Sequence, residues 1–156
     1  MITEDYVSFE IAKLLKEKGF KMWCYKSYGT AVYHKGVPIS FDEECDLKDE
    51  GLEDEIEYVE GGCLYDFGCD NRKEDAKVYA APTLQRAMKW LREVHNLFIF
   101  ISTWLRHKDG TVQYYYEIRN LNDKDFETIA ESTITEFDSL EKTCEAAIKY
   151  CLENLI

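Results

Sequence analysis

The chain has 156 residues, a length typical of one domain with its own hydrophobic core. Apolar residues make up 46% of it and prolines number only 2, which excludes a disordered, collagen-like or low-complexity chain. The 31 acidic residues outnumber the 19 lysines and arginines and give a formal net charge of -12, so the protein should repel polyanions. We expect no nucleic acid among its partners.

No segment predicts contact with a membrane. The longest apolar run, residues 97–101, is far shorter than the roughly 18 residues of a membrane span. The opening residues MITEDYVSFEI lack the basic and apolar regions of a signal peptide. We therefore expect a cytoplasmic protein without membrane contact, whose 6 cysteines are reduced.

A helix is predicted near the start of the chain. Thr3 and Ser8 are both suitable N-caps, and Gly19 suits the left-handed position that follows a helix. Phe20 should then pack back on the last turn. Between these signals, apolar residues recur at helical spacing and predict one buried stripe. They are Val7, Ile11, Leu14 and Leu15.

Short strands of a meander are predicted next. Residues 22–28 and 30–34 are rich in aromatic and β-branched residues and are separated by Gly29. Residues 37–41 predict a further strand. We expect it at the edge of the sheet, because Pro38 cannot donate a hydrogen bond to a neighbouring strand.

Acidic residues concentrate between residues 42 and 60, where eleven of them accompany a single base, Lys48. We interpret residues 42–62 as an acidic insert that forms a solvated loop and ends at the break Gly61-Gly62, because it has too few apolar residues to pack. The alternative is a surface that docks on a basic partner. The side chains of that candidate surface are Asp42, Glu43, Glu44, Asp46, Asp49 and Glu50.

A second helix and the strand after it follow Pro82, a residue that suits the start of a helix. The helix should run to about His95, where Asn96 can end it in a left-handed conformation. Residues 97–105 are then mostly apolar and predict a central strand. The buried stripe of the helix is Leu84, Ala87, Met88, Leu91 and Val94.

The rest of the chain predicts a hairpin, a third strand and a last helix. Asp109-Gly110 is a strong hairpin signal, with residues 112–119 as the partner strand and a weaker strand within residues 126–137. Asp138 and Glu141 have the spacing of a capping box and begin the last helix. Its buried stripe is Leu140, Cys144, Ala147, Ile148, Cys151, Leu152 and Leu155.

These elements predict a single α+β domain over residues 1–156, with two or three helices packed on an antiparallel sheet. Residues 1–41 supply a helix and short strands, residues 42–62 the acidic insert, and residues 79–156 an α-β-β-β-α core. Double-stranded-RNA-binding domains share the α-β-β-β-α order. They bind phosphate through basic residues at the start of the last helix, whereas the last helix of this chain begins with acidic residues.

The chemistry-bearing residues favour neither a metal site nor an enzyme. Cys63 and Cys69 are too widely spaced for a zinc knuckle, and Cys144 and Cys151 share an apolar stripe as core residues. Phosphate-binding loops, dinucleotide fingerprints and nucleophile elbows are all missing from the sequence. We predict no metal, no cofactor and no catalytic residue.

Aromatic residues offer a second candidate surface. Alternation along a strand places Tyr114 and Tyr116 on one face and Tyr115 on the other, so one aromatic face should be accessible unless another layer covers it. We add Tyr114 and Tyr116 to the candidate partner surface. Cross-strand packing is the simpler explanation of all three tyrosines. A small-ligand site is the alternative, with stacking residues and phosphate-binding arginines drawn from Trp104, Tyr115, Arg86, Arg92 and Arg119.

Four segments of the chain carry a resemblance: YVSFEIAKLLKEKGF at residues 6–20, APTLQ at 81–85, KWLREVH at 89–95 and AAIKYCLEN at 146–154. They resemble a group of small uncharacterised proteins of gut bacteria and their phages. The group implies no activity, cofactor or catalytic residue, and residues 22–78 share nothing with it. The resemblance implies a phage or prophage context.

The sequence as a whole therefore favours a non-enzymatic accessory protein of phage or prophage type. We expect it to bind a host or defence protein through its acidic surface, its aromatic surface, or both. The alternative is a protein that binds or sequesters a small nucleotide-like ligand.

Overall fold

The computed structural model describes residues 4–106, 108–132 and 137–156, with the backbone alone at 104–106. Within these residues the chain has four α-helices and two antiparallel sheets, which confirms the α+β class. It groups into two compact units. We call Met1–Phe20 with Pro82–Ile156 the terminal unit, and Lys21–Ala81 the central unit. The single domain over residues 1–156 stays a prediction.

The first helix of the terminal unit, α1, spans Phe9–Glu17 as predicted. The Ser8 hydroxyl accepts a hydrogen bond from the amide of Ile11 and so caps the helix. Gly19 has a φ of +85°, the left-handed conformation expected after a helix, and Phe20 is fully buried behind it.

The predicted α-β-β-β-α order of the terminal unit is confirmed. It comprises α3 (Leu84–His95), β5 (Leu97–Arg106), β6 (Val112–Asn120), β7 (Thr128–Glu131) and α4 (Leu140–Asn154). The strands form an antiparallel sheet in the order β5-β6-β7. Helices α3 and α4 pack on β5, α4 also packs on β6, and α1 packs on α4, so three helices enclose the core with the sheet.

Three predictions about these helices are wrong in detail. Val94 is 57% exposed although it continues the predicted stripe, because α3 turns Trp90 into the core, where its ring lies 5.4 Å from that of Phe20. Leu140 is also exposed. The cap of α4 is Ser139 rather than Asp138, whose carboxylate accepts a hydrogen bond from Lys142 Nζ at 2.8 Å.

The sheet of the central unit is built around one long strand, β1 (Lys26–His34). It pairs antiparallel with β2 (Val37–Pro38), β3 (Ile56–Tyr65) and β4 (Tyr79–Ala81). Strand β2 lies at the edge, as Pro38 predicted.

Glycines interrupt the strands of the central unit less than the sequence indicated. The two strands predicted on either side of Gly29 are one strand, β1, and β3 continues through Gly61-Gly62. The register shifts between Gly29 and Ala31, and Gly61 has a φ of +69°. Gly61 and Gly62 therefore lie in a β-bulge of β3, which their conformational freedom permits, rather than at a chain break.

The acidic insert is not a loop. Residues Phe41–Asp49 form a helix, α2, and β3 begins at Ile56, well before the predicted strand at Cys63. The strand predicted over residues 37–41 accordingly ends at Pro38. The low apolar content of this segment predicted a loop. Instead, local capping stabilises α2, and pairing with β1 stabilises β3.

Candidate functional site

The acidic segment of the central unit is organised by a capping box. The Ser40 hydroxyl accepts a hydrogen bond from the amide of Glu43, and the Glu43 carboxylate accepts one from the amide of Ser40 at 2.7 Å. The latter bond lowers the pKa of Glu43. Acidic residues in the first turn of α2 are further stabilised by the positive end of the helix dipole. These local interactions explain why the segment is helical.

Glu44 connects α2 to the sheet. Its carboxylate accepts hydrogen bonds from Lys48 Nζ and from the hydroxyl of Tyr58 on β3, both at 2.6 Å. These two bonds lower the pKa of Glu44. The pKa of Lys48 is raised by its hydrogen bond to Glu44 and by its interaction with Tyr58. Glu43 and Glu44 are thus structural residues of the acidic segment.

The remaining four predicted acidic residues lie on one face of α2 and are exposed. Counted from Asp42, the other three lie four, seven and eight residues further along the chain. This spacing places all four within about one quarter of the helix circumference. None of the four side chains makes an ion pair or hydrogen bond within the described ranges. We call this set the acidic stripe: Asp42, Asp46, Asp49 and Glu50.

Helix α2 has no buried residue, so it rests on the unit without contributing to its core. Phe41, the first residue of the helix, is 76% exposed. Val37 on the edge strand and Tyr58, which contacts Glu44, are exposed as well. An exposed aromatic side chain beside a charged stripe is typical of a protein-binding surface.

The structure does not present the tyrosines of β6 as an open surface. Tyr116 is only 7% exposed, and its ring lies 6.1 Å from that of Phe137 and 6.5 Å from that of Tyr150 on α4. Tyr114 and Tyr115 are partly buried. The covering layer is α4 together with Phe137, so we remove Tyr116 from the candidate partner surface. Tyr114 and the acidic stripe belong to different units.

Two of the predicted ligand-binding arginines meet at one aromatic cluster in the terminal unit. The Arg92 guanidinium lies 5.9 Å from the centre of the Phe98 ring, and that of Arg119 lies 4.9 Å from the Phe100 ring. The two phenylalanine rings are 4.5 Å apart. Arg119 also forms an ion pair with Glu117 at 3.0 Å.

Arg86, a third predicted ligand residue, does not join this cluster. Arg86 lies six residues before Arg92 on α3, on another side of the helix, and its Nε is buried without a hydrogen-bond partner among the described residues. The side chain of Trp104 lies outside the described residues. Beside Phe98, a cavity of about 280 Å³ is lined by Lys89 and Arg92.

Sequence reasoning missed a cavity of about 540 Å³ in the central unit. Trp23 and Phe67 line it and are 54% and 69% exposed. Cys69 and the basic residues Arg72 and Lys73 complete much of its wall. Residues 66–78 form no regular helix or strand, so no periodic pattern marked this site. The sequence signal that could have found this cavity was a pair of large aromatic residues near cysteines: Trp23 beside Cys24, and Phe67 two residues before Cys69.

The cysteines of α4 are core residues, as predicted. Cys144 and Cys151 are both buried. Burial raises the pKa of Cys144 to about 11 and that of Cys151 to about 12. Because the thiolate is the nucleophilic form, neither residue is suited to nucleophilic catalysis.

His95 at the end of α3 packs against Trp90, with ring centres 4.6 Å apart. Its Nε2 is buried and has no hydrogen-bond partner among the described residues. Burial lowers the pKa of His95. Glu93 lies 3.8 Å from Lys89 and 4.0 Å from Arg92, so the charged residues of this segment are surface neighbours.

Comparison with known proteins identifies none of these sites. No protein-family model, no curated protein and no solved structure matches this chain. The described ranges hold no group of three or more His, Cys, Asp or Glu side chains arranged for a metal ion. Every helix in those ranges is too short or too polar to cross a membrane.

Proposed function

We propose that this chain is a non-enzymatic accessory protein of phage or prophage type that binds a host or defence protein through the acidic stripe of α2. Its partner presents a basic surface, and Phe41 supplies an apolar contact beside the charges. The phage context rests on the resemblance of residues 6–20 and of the segments after residue 81. The binding role rests on the placement of the stripe.

Asp42 lies in the first turn of α2, where the helix dipole favours a carboxylate, but the other charges of the stripe have no such compensation. Asp42 and Asp46 are four residues apart, a spacing at which like charges on a helix repel by about 0.2–0.5 kcal/mol. Asp49 and Glu50 stand at the C-terminal end, where negative charge opposes the helix dipole by about 0.3–1 kcal/mol. A cationic surface on a partner would offset this cost, and this observation carries the proposal.

A charge-matched pair of variants tests the proposal. The stripe variant carries Asp42→Asn, Asp46→Asn, Asp49→Asn and Glu50→Gln, which leaves the capping box and the Glu44 contacts intact. The control variant neutralises four exposed acidic residues elsewhere, so both proteins have the same net charge. The control changes are Glu17→Gln, Asp75→Asn, Asp125→Asn and Glu127→Gln.

Wild type and both variants are immobilised, and the proteins they retain from a gut-bacterial lysate are quantified by mass spectrometry at low and high salt. We expect at least one protein to be retained by the wild type and the control but lost from the stripe variant. Its retention should fall steeply with salt, because exposed charges are screened beyond about 8 Å at physiological ionic strength. Equal loss from both variants would mean that only net charge matters and would contradict the proposal.

The cavity beside Phe98 supports a second candidate function, the binding of a small anionic, nucleotide-like ligand. Lys89 and Arg92 line this cavity, and the aromatic ring offers a stacking surface. Calorimetric titration with ATP tests it directly. Binding that is lost in Arg92→Ala and kept in the stripe variant would favour this function over protein binding, whereas no heat of binding would remove it.

A further inference from the structure

Two cysteines of the central unit lie directly opposite each other. The amide of Cys24 donates to the carbonyl of Cys69 at 2.9 Å, and the amide of Cys69 donates to the carbonyl of Cys24 at 3.1 Å. This reciprocal pattern defines the hydrogen-bonded pair of an antiparallel bridge, in which the Cα atoms lie about 5.5 Å apart. The side chains of such a pair point to the same side, and a disulfide spans Cα separations of about 4.4–6.8 Å.

Neighbouring contacts hold the two chain segments together. The Ser27 hydroxyl donates a hydrogen bond to the carbonyl of Phe67 at 2.6 Å. The indole of Trp23 packs so closely on Gly68 that a Cβ added to the glycine would lie 2.3 Å from the ring. The cysteines are therefore placed opposite each other by contacts on either side of them, and they are not joined by a disulfide.

The two thiols differ in access. Cys24 is only 2% exposed, whereas Cys69 is partly exposed and lines the cavity between Trp23 and Phe67. A small reagent that enters this cavity can reach Cys69 first. Cys24 can then react only with the sulfur of Cys69 itself, once Cys69 carries a mixed disulfide.

We infer that Cys24 and Cys69 form a reversible disulfide modification site, oxidised by a low-molecular-weight disulfide such as oxidised glutathione. The Cys69 thiolate attacks one sulfur of glutathione disulfide, which forms a mixed disulfide and releases one glutathione thiolate. The Cys24 thiolate then attacks the Cys69 sulfur, so the mixed disulfide breaks and a second glutathione leaves. The two protons of the protein thiols pass to the two released glutathiones. The protein loses two electrons, and glutathione disulfide gains them.

The chain contains its own control pair. Cys144 and Cys151 are both buried, like Cys24, but stand seven residues apart on α4. Their Cα atoms are therefore about 10.5 Å apart along the helix, beyond the reach of a disulfide. Oxidation should join Cys24 to Cys69 and leave Cys144 and Cys151 as thiols.

The experiment equilibrates the folded full-length protein with glutathione buffers of increasing oxidised fraction. Acid stops the exchange, free thiols are alkylated under denaturing conditions, and peptides are mapped by mass spectrometry. We expect one linked peptide pair, Cys24 with Cys69, a mass loss of about 2 Da and full reversal by dithiothreitol. Free thiols at both positions in every buffer, or linkage of either cysteine to another one, would overturn the inference.

Single variants test the order of the two steps. Cys24→Ser should accumulate glutathione on Cys69, because no second thiol releases it. Cys69→Ser should leave Cys24 unmodified. Glutathione on Cys24 in that variant would contradict the assigned order of attack. The wild-type peptide map decides the main inference even where a variant fails to fold. Because the site needs no protein partner, the result is independent of the function proposed for the acidic stripe.

Discussion

Helix α3 offers the sharpest test of the structure, because two apolar residues on the same predicted stripe have different environments. Leu91 is fully buried, whereas Val94, three residues later, is 57% exposed. The apolar period of the sequence treats them alike. Truncation of each to alanine therefore separates the packing of the folded chain from the sequence pattern.

Leu91→Ala should lower the free energy of unfolding by about 3 kcal/mol, within the range of about 2–5 kcal/mol for a buried leucine, through lost transfer energy and a cavity. For a chain of this length that loss lowers the melting temperature by about 6–12 °C. Val94→Ala should change stability by no more than about 0.5 kcal/mol, because an exposed side chain loses little packing and alanine favours the helix.

Thermal unfolding followed by far-ultraviolet circular dichroism measures both variants under the same conditions. Arg92→Ala, an exposed change on the same helix, serves as the control and should resemble Val94→Ala. Equal shifts for Leu91→Ala and Val94→Ala, or a larger shift for Val94→Ala, would refute the buried face assigned to α3.

Three further predictions follow from burial and charge. Cys144 and Cys151 should be alkylated by iodoacetamide far more slowly in the folded protein than in denaturant, and rapid native labelling of both would contradict their burial and raised pKa values. Burial lowers the pKa of His95 below 6.5, so the unfolded chain binds a proton at this residue more readily than the folded protein does. The contribution of His95 to stability is therefore complete above about pH 6.5 and is lost as the pH falls below that value. His95→Phe should therefore reduce the fall in melting temperature between about pH 7.5 and about pH 5, and an unchanged pH profile would contradict the argument. The stripe variant should melt at the same temperature as the wild type or slightly above it, since it loses like-charge repulsion; a clear loss of stability would show that these charges support the fold.

The predicted acidic and ligand sites were only partly recoverable from the sequence. The charge run identified the acidic residues. Only the contacts with Ser40, Lys48 and Tyr58 distinguish the structural residues Glu43 and Glu44 from the acidic stripe. Tyr58 is fourteen residues from Glu44, so no local pattern joins them. Likewise, the sequence named Arg92 and Arg119 separately. The pairing of β6 with β5 brings Arg119 to their common aromatic cluster, and the packing of α3 on β5 brings Arg92 there.

The sequence by itself determined the elements of the terminal unit. The Ser8 cap and Gly19 bound α1, Asn96 ends α3, and Asp109-Gly110 joins the two long strands. These signals are local, since each depends on the backbone preference of a few consecutive residues or on the 3.6-residue period.

Only the tertiary structure decided which apolar and polar residues are accessible and which distant residues meet. It buried Tyr116 under α4, exposed Val94, and placed Cys24 opposite Cys69 across forty-five positions of sequence. Gly61 and Gly62 of β3 form a bulge, rather than a chain break, because β3 pairs with β1 on both sides of them. Burial and cross-strand pairing are relations between segments far apart in the chain, so the period and propensity of one segment do not specify them.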